Sequence, residues 1–297
     1  MFVALSFIGR LPSYVIECTR QIKFFFDGEI YLIIDDVNSE FISKLSDVNI
    51  VNYESVKSYS FDEKVSRHRR KFCIIDGLHD RKELFIRSLE RFFLLHNLME
   101  KNKLEDCLFL ELDNLIYDNP NNWLPEFSKY ELTYMFDNFD RCSSGLMYVK
   151  SSNSLVNFMN YILNYIESSN EFLNEMTCLY RYYEQNKNTV QILPTYFKDE
   201  SLTEIVYQHY PKYNNSIFDA LGIGIFLLGL DTFHTGGNVQ TGLKNMWGYI
   251  DYTKCKFEWK TDEKNRRIPY IWDGTNWIRI NNLHVHSKQL KNGLSFN

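Results

Sequence analysis

Cys107-Leu108-Phe109-Leu110-Glu111-Leu112-Asp113-Asn114-Leu115-Ile116-Tyr117 decides the fold. A short apolar run too brief for a helix reads as a buried strand over Cys107–Leu112. It leads straight into two carboxylates at i and i+2. On an extended backbone alternate side chains share a face, so Glu111 and Asp113 project together beyond the strand. Two carboxylates side by side repel each other unless a cation lies between them. A hard divalent ion that takes oxygen ligands, Mn2+ or Mg2+, meets that need. The bland reading stands beside this one: acidic residues often open a loop, and Asn114 and Asp118 suit a turn.

Working outward, Leu84–Lys101 carries Leu84, Phe85, Leu89, Phe92, Phe93, Leu95, Leu98 and Met99 at helical spacing. Before it come a strand over Phe2–Ile8, a helix over Ser13–Phe25 and a β-branched run at Ile30–Ile34. A short strand over Val48–Asn52 follows. This alternation predicts an α/β fold, a mostly parallel sheet with helices on both faces. Such sheets bind ligands at the carboxyl ends of their strands. Gly9-Arg10, Asp35-Asp36 and the end of Cys107–Leu112 are therefore the places to look. Downstream, Met147–Val149 and Gln191–Leu193 read as strands and Ser154–Ser168 and Glu171–Glu184 as helices. Ser216–Leu228 reads as a helix with Ser216 as N-cap. Lys256–Lys260, Ile268–Trp272 and Trp277–Ile280 read as strands, the last two joined by an Asp273-Gly274 turn.

A second segment bears on the carboxylates: Asn281-Asn282-Leu283-His284-Val285-His286-Ser287-Lys288. If it is extended, His284, His286 and Lys288 share a face. A neutral imidazole suits a divalent ion that already has two carboxylates, and an ammonium two residues on neutralises a phosphate. Taken alone, two histidines on a surface strand mean nothing; their pairing with Glu111 and Asp113 gives them weight. Arg91 admits two readings, a diphosphate partner or a guanidinium at the core edge, with Arg87 a weaker candidate one turn before it. Asp219 also admits two. Ser216-Ile217-Phe218-Asp219 has the form of a capping box, and a carboxylate near a pocket can be a general base. Glu175 stands behind it for that role.

Composition sets limits. The 297 residues fit one large domain, and 44% hydrophobic residues supply a sizeable core. A net charge of -5 argues against a nucleic-acid partner, since such proteins carry a basic face. The one dense basic run, Arg67-His68-Arg69-Arg70-Lys71, reads as a solvated loop before a strand. Six scattered cysteines form no CxxC pair, which argues against a zinc site and for a reducing compartment. The first residues lack a basic region ahead of their short apolar stretch and read as a strand, not a signal peptide. The apolar run Ala220–Leu230 is too short and glycine-rich to span a bilayer. The expectation is a cytoplasmic protein with no transmembrane segment.

IGRLPSYV, YLIIDD, RSLERFFLL, LELDNLIY, SIFDALGIGIFLLGLD and NNLHVHSK together resemble a group of GT-A-type glycosyltransferases found in bacteria and large DNA viruses. The resemblance covers most of the chain; LELDNLIY and NNLHVHSK are its specific markers. It implies a GT-A-like, mixed, mostly parallel sheet flanked by helices, with residues 1–149 mainly the donor half. Residues 150–297 would be mainly the acceptor half plus a C-terminal metal- and diphosphate-binding segment. Glu111 and Asp113 would match the DxD motif, with Glu in place of the first Asp. His286, or His284, would be the third ligand to Mn2+ or Mg2+, and Lys288 would meet the donor diphosphate. Ile8, Gly9, Arg10 and Asp35 occupy the region that holds base and ribose. The implied partners are a nucleotide-sugar donor, UDP-linked by default, and a glycan or other hydroxyl acceptor. A nucleotidyltransferase or nucleotide-sugar hydrolase is the rival enzyme, although Gly9-Arg10-Leu11-Pro12 is not the glycine-rich, lysine-bearing loop of the former. The non-enzyme alternative is a nucleotide-sugar- or glycan-binding module, for which Trp247, Trp259, Trp272 and Trp277 would be the stacking residues.

Overall fold

The computed structural model describes residues 1–38, 42–72, 83–138, 140–197, 203–230 and 250–296. Its centre is a seven-stranded sheet of order β3-β2-β1-β4-β7-β6-β8. The strands are β1 (Phe2–Phe7), β2 (Ile30–Ile34), β3 (Asn49–Asn52), β4 (Cys107–Leu110), β6 (Leu132–Asn138), β7 (Arg141–Val149) and β8 (Val190–Leu193). β3, β2, β1 and β4 run parallel, β7 runs against both of its neighbours, and β6 is parallel to β8. The sheet is mixed and mostly parallel, as the alternation of elements predicts.

β4 is buried along its whole length. Each of its large apolar side chains contributes about 1.5–3 kcal/mol on leaving water, so the strand end is firmly anchored. Helix α1 (Val15–Phe25) buries Val15, Cys18, Ile22 and Phe25. Helix α3 (Leu84–Asn102) buries Leu89, Phe92, Phe93, Leu95, Leu98 and Met99, close to the predicted stripe. It packs on α5 (Ser152–Ser168) through Phe92 and Phe158, edge to face at 5.0 Å. α6 (Glu175–Gln185) continues that layer through Tyr182 against Phe158.

Two smaller sheets follow. β10 (Phe257–Thr261), β11 (Arg267–Trp272), β12 (Trp277–Ile280) and β9 (Ser216–Ile217) form one, in that order. β13 (Asn282–His284) pairs antiparallel with β5 (Asn114–Ile116) in the other, setting His284 opposite Asn114. β12 runs through Asn281 into β13, so the late hairpin delivers His284 to the segment that follows β4.

Several expectations need correction. The basic run is not a loop: Tyr59–His68 is helix α2, and Arg69–Phe72 continue it as a 3-10 turn. Only Phe61 and Val65 of α2 are buried, a stripe too thin to stand out in the sequence. Lys71 there donates to the Ile166 and Glu167 carbonyls, capping the end of α5. The strand expected after the run, and Trp247, lie outside the described residues. β6 went unread, and β7 extends the expected Met147–Val149 back to Arg141. α6 starts at Glu175, not Glu171, because the Asn174 side chain accepts from Thr177 N at 3.0 Å. The helix expected over Ser216–Leu228 is α7 (Gly222–Leu228). Ser216 lies in β9, where its hydroxyl donates to the Tyr213 carbonyl. No helix among the described residues is long and apolar enough to cross a membrane.

Candidate active site

The carboxylates sit at the carboxyl end of β4, but not on an extended strand. Glu111 N donates to Gly145 O of β7 at 2.9 Å, and Asn114 N then donates back to Glu111 O at 2.9 Å. That i to i+3 bond makes Glu111–Asn114 a tight turn. Val285 N donates to Asp113 O at 2.7 Å and ties the turn to the end of β13. Glu111, Asp113 and His284 then offer three ligand atoms within 4.8 Å of one another. His284 Nε2 lies 3.4 Å from Asp113 Oδ2 and 3.5 Å from Glu111 Oε2.

The cluster is ringed by cations. Lys288 Nζ donates to Asp113 Oδ2, and Arg91 Nη1 to Glu111 Oε1. Arg91 is buried, with Phe92 and Phe109 rings each 5.6 Å from its guanidinium carbon. Its other nitrogens reach Glu175 at 3.3 Å and the Ser88 carbonyl at 2.7 Å. Burial alone raises a carboxylic acid's pKa, but here the neighbours win. Burial pushes Asp113 up, yet His284 and Lys288 hold it well below the usual carboxylate range. Arg91 and His284 lower Glu111 against the same penalty. Burial pushes His284 down, and Asp113 with Glu111 outweighs it and lifts the imidazole to about 9.

The donor set fits a hard divalent cation: two carboxylates and one imidazole, converging on one point. The imidazole is also turned correctly. Its Nδ1 lies 3.1 Å from the Ala220 carbonyl, which can only accept, so that nitrogen carries a hydrogen and Nε2 faces the carboxylates. The raised His284 pKa belongs to the metal-free cluster; a cation at the same point competes with that proton.

No protein-family model and no curated protein matches the chain. Solved structures with a similar chain path include mouse xyloside xylosyltransferase 1 in its apo form, at 10% identity and a TM-score of 0.46, over 65% of this chain and 84% of that one. The galactosyltransferase LgtC, in complex with donor and acceptor sugar analogs, is 7% identical at a TM-score of 0.44 over 66% and 74%. A cytidylyltransferase from Leptospira borgpetersenii is 11% identical at 0.38 over 67% and 77%. At these identities and scores the functional reading rests on the site's own geometry.

The structure brings Glu111, Asp113, His284, Lys288 and Arg91 together. His286 is not among the three clustered ligands; its ring centroid is 6.4 Å from that of His284. The extended run expected through Lys288 does not form. β13 stops at His284 and the chain turns, with Lys288 N donating to Val285 O at 2.9 Å. Lys288 takes a left-handed φ of 62°, and the turn brings its ammonium back to Asp113. Ile8, Gly9, Arg10 and Asp35 lie on the same edge of the sheet, after β1 and β2. Gly9 N donates to Asp35 Oδ2 at 2.9 Å, and the glycine's φ of 104° is one a side chain rarely tolerates.

Asp219 is placed differently from the expectation of a base. It is fully buried, and its carboxylate accepts from Ile223 N, Gly224 N and His284 N at 2.9, 2.7 and 2.9 Å. Its oxygens are committed to backbone, so it is not poised to take a proton from an acceptor. Sequence reasoning also passed over Asn282 and Gly145. A Cβ on Gly145 would lie 3.0 Å from Asn114 Nδ2, 3.2 Å from His284 Nδ1 and 3.3 Å from Glu111 Oε2, so glycine leaves the cluster its room.

Proposed function

We propose that the chain is a metal-dependent glycosyltransferase that moves a sugar from a nucleotide-diphosphate sugar to a hydroxyl acceptor, with UDP-sugar the default donor and a glycan the default acceptor. The observation that carries this reading is the Glu111–Asp113–His284 cluster at the carboxyl end of β4, with a mobile-length cation, Lys288, beside it. Three protein ligands of this kind would hold Mn2+ or Mg2+ and leave positions open for diphosphate oxygens. When bound, the ion supplies Lewis-acid neutralisation of the departing diphosphate.

The chain's own groups do the rest. Arg91, fixed by its aromatic neighbours and Glu175, holds Glu111 in place. Lys288 moves its ammonium from Asp113 to a phosphate oxygen when donor arrives, placing a positive charge where negative charge develops. Gly9, Arg10 and Asp35 offer the base and ribose a cradle at the next two strand ends. In this reading residues 1–149 mainly serve the donor. Residues 150–297 mainly serve the acceptor and return the C-terminal segment to the metal. The scattered cysteines support a cytoplasmic setting.

Calorimetry with UDP, GDP, CDP and ADP, each with Mn2+ and with EDTA, tests the proposal. One nucleotide should bind only with metal, and Asp113→Ala should abolish that binding. If folded wild-type protein binds none of the four in a metal-dependent way, the reading is wrong.

A further inference from the structure

Three segments far apart in sequence bear on the cluster: the Glu111–Asn114 turn, the Asp219–Gly224 turn, and β13. What keeps them in register is a fully buried polar network. Asn282 Oδ1 accepts from Asp219 N at 3.0 Å, and its Nδ2 donates to Asp219 O and to Asn114 Oδ1, both at 2.9 Å. Asn282 thus ties the Asp219 turn to the residue that follows Asp113. The Asp219 carboxylate grips His284 N, while the next residue, Ala220, offers its carbonyl to His284 Nδ1. Main chain and ring of one histidine are held by two consecutive residues. Gly224 completes the fit: any Cβ there would overlap the His284 carbonyl.

We propose that Asp219 and Asn282 form a positioning clamp that sets the place of His284, holding its backbone and the Ala220 carbonyl that fixes its ring tautomer, and through it the affinity of the cluster for a divalent ion. The inference rests on the metal-site reading above. Partners that orient a ligating histidine govern metal affinity about 10–100-fold in comparable sites. Here the Ala220 carbonyl fixes the ring, as carbonyls often do for ligating histidines, and the Asp219 carboxylate fixes the backbone as well.

Asp219→Asn is the sharpest test, because it keeps the shape and turns one acceptor oxygen into an NH2 facing backbone N–H groups. Mn2+ affinity is measured from the free-ion EPR signal, at a temperature where circular dichroism shows the protein folded, with Asp113→Ala as reference. The expected result is binding about 10–100-fold weaker than wild type, and weaker still for Asp113→Ala. A purely structural role would lower the unfolding temperature and leave the Mn2+ affinity of the folded protein unchanged; that result overturns the clamp while the metal site stands. Should Asp219→Asn not fold, Asn282→Ala carries the same expectation, since it cuts the tie to Asn114 and leaves the Asp219 carboxylate in place. Absence of Mn2+ binding by wild type overturns both the clamp and the metal-site reading.

Discussion

Asp113 and Asp219 are both buried against His284, yet they keep opposite company. Asp113, in the turn after β4, faces the imidazole Nε2 at 3.4 Å, and the same Oδ2 accepts from the Lys288 ammonium. Asp219, in the turn before α7, faces the same residue's backbone N at 2.9 Å, and its three donors are all backbone N–H groups. One carboxylate is held well below the usual range by full charges at contact; the other is pushed up by burial, which its backbone N–H donors and the His284 charge only partly offset. An aspartate whose partners are a lysine that can swing away and an imidazole that can give up its proton has room for a metal ion. One gripped by main chain has none, and it serves geometry instead.

That contrast predicts unequal losses. Asp113→Ala removes a ligand, strips Lys288 of its partner and leaves His284 facing Glu111 alone, so metal-dependent nucleotide binding should fall more than about 100-fold, beyond the about 10–100-fold that losing a group behind a ligand costs. Asp219→Asn should retain more of it. Equal losses in the two variants, measured on folded protein by the same calorimetry, would erase the distinction between ligand and clamp.

How much of this was legible beforehand depends on range. The acidic pair and Lys288 stand in a local pattern, a short apolar run then E-x-D, and a lysine after a histidine pair. The structure gathers them as that pattern suggests, although through turns at Glu111–Asn114 and Val285–Lys288 and not through the extended backbone that the spacing assumed; the parallel core strands were legible directly. The choice between His284 and His286 was not, because the extended run that would align them stops at His284. Asp219 was visible as a lone acid among apolar residues, but its partners lie 63 and 65 residues away, so local rules offered only a capping box. Asp219 does accept from the first turn of a helix, through Ile223 N and Gly224 N, but that helix begins at Gly222, six residues beyond the expected cap at Ser216.

Without metal, the cluster should carry a pH signature. His284 has a folded pKa of about 9 against about 6.5 when unfolded. A group whose pKa is raised by folding stabilises the native state fully below the unfolded value and loses that contribution as pH climbs through the folded one. In EDTA, stability from urea titration should therefore drop between about pH 6.5 and 9, by on the order of 3 kcal/mol. His284→Gln should flatten that slope. An equally steep fall in the variant would assign the effect elsewhere, and saturating Mn2+ should suppress the slope in wild type by displacing the proton.

Two glycines sharpen the contrast at the smallest scale. A methyl on Gly224 would collide with the His284 carbonyl, which is backbone and cannot step aside, so Gly224→Ala should cost about 1–3 kcal/mol of stability. A methyl on Gly145 meets only side-chain atoms of Asn114, His284 and Glu111, at 3.0–3.3 Å, and these can yield by a few tenths of an ångström. Gly145→Ala should then cost less stability than Gly224→Ala, but it displaces two of the three ligands directly and should weaken Mn2+ binding more. Thermal unfolding and Mn2+ titration of the two variants separate the effects. If Gly224→Ala proved the weaker Mn2+ binder, the grip on the histidine's backbone would matter more to the ion than room beside its ring.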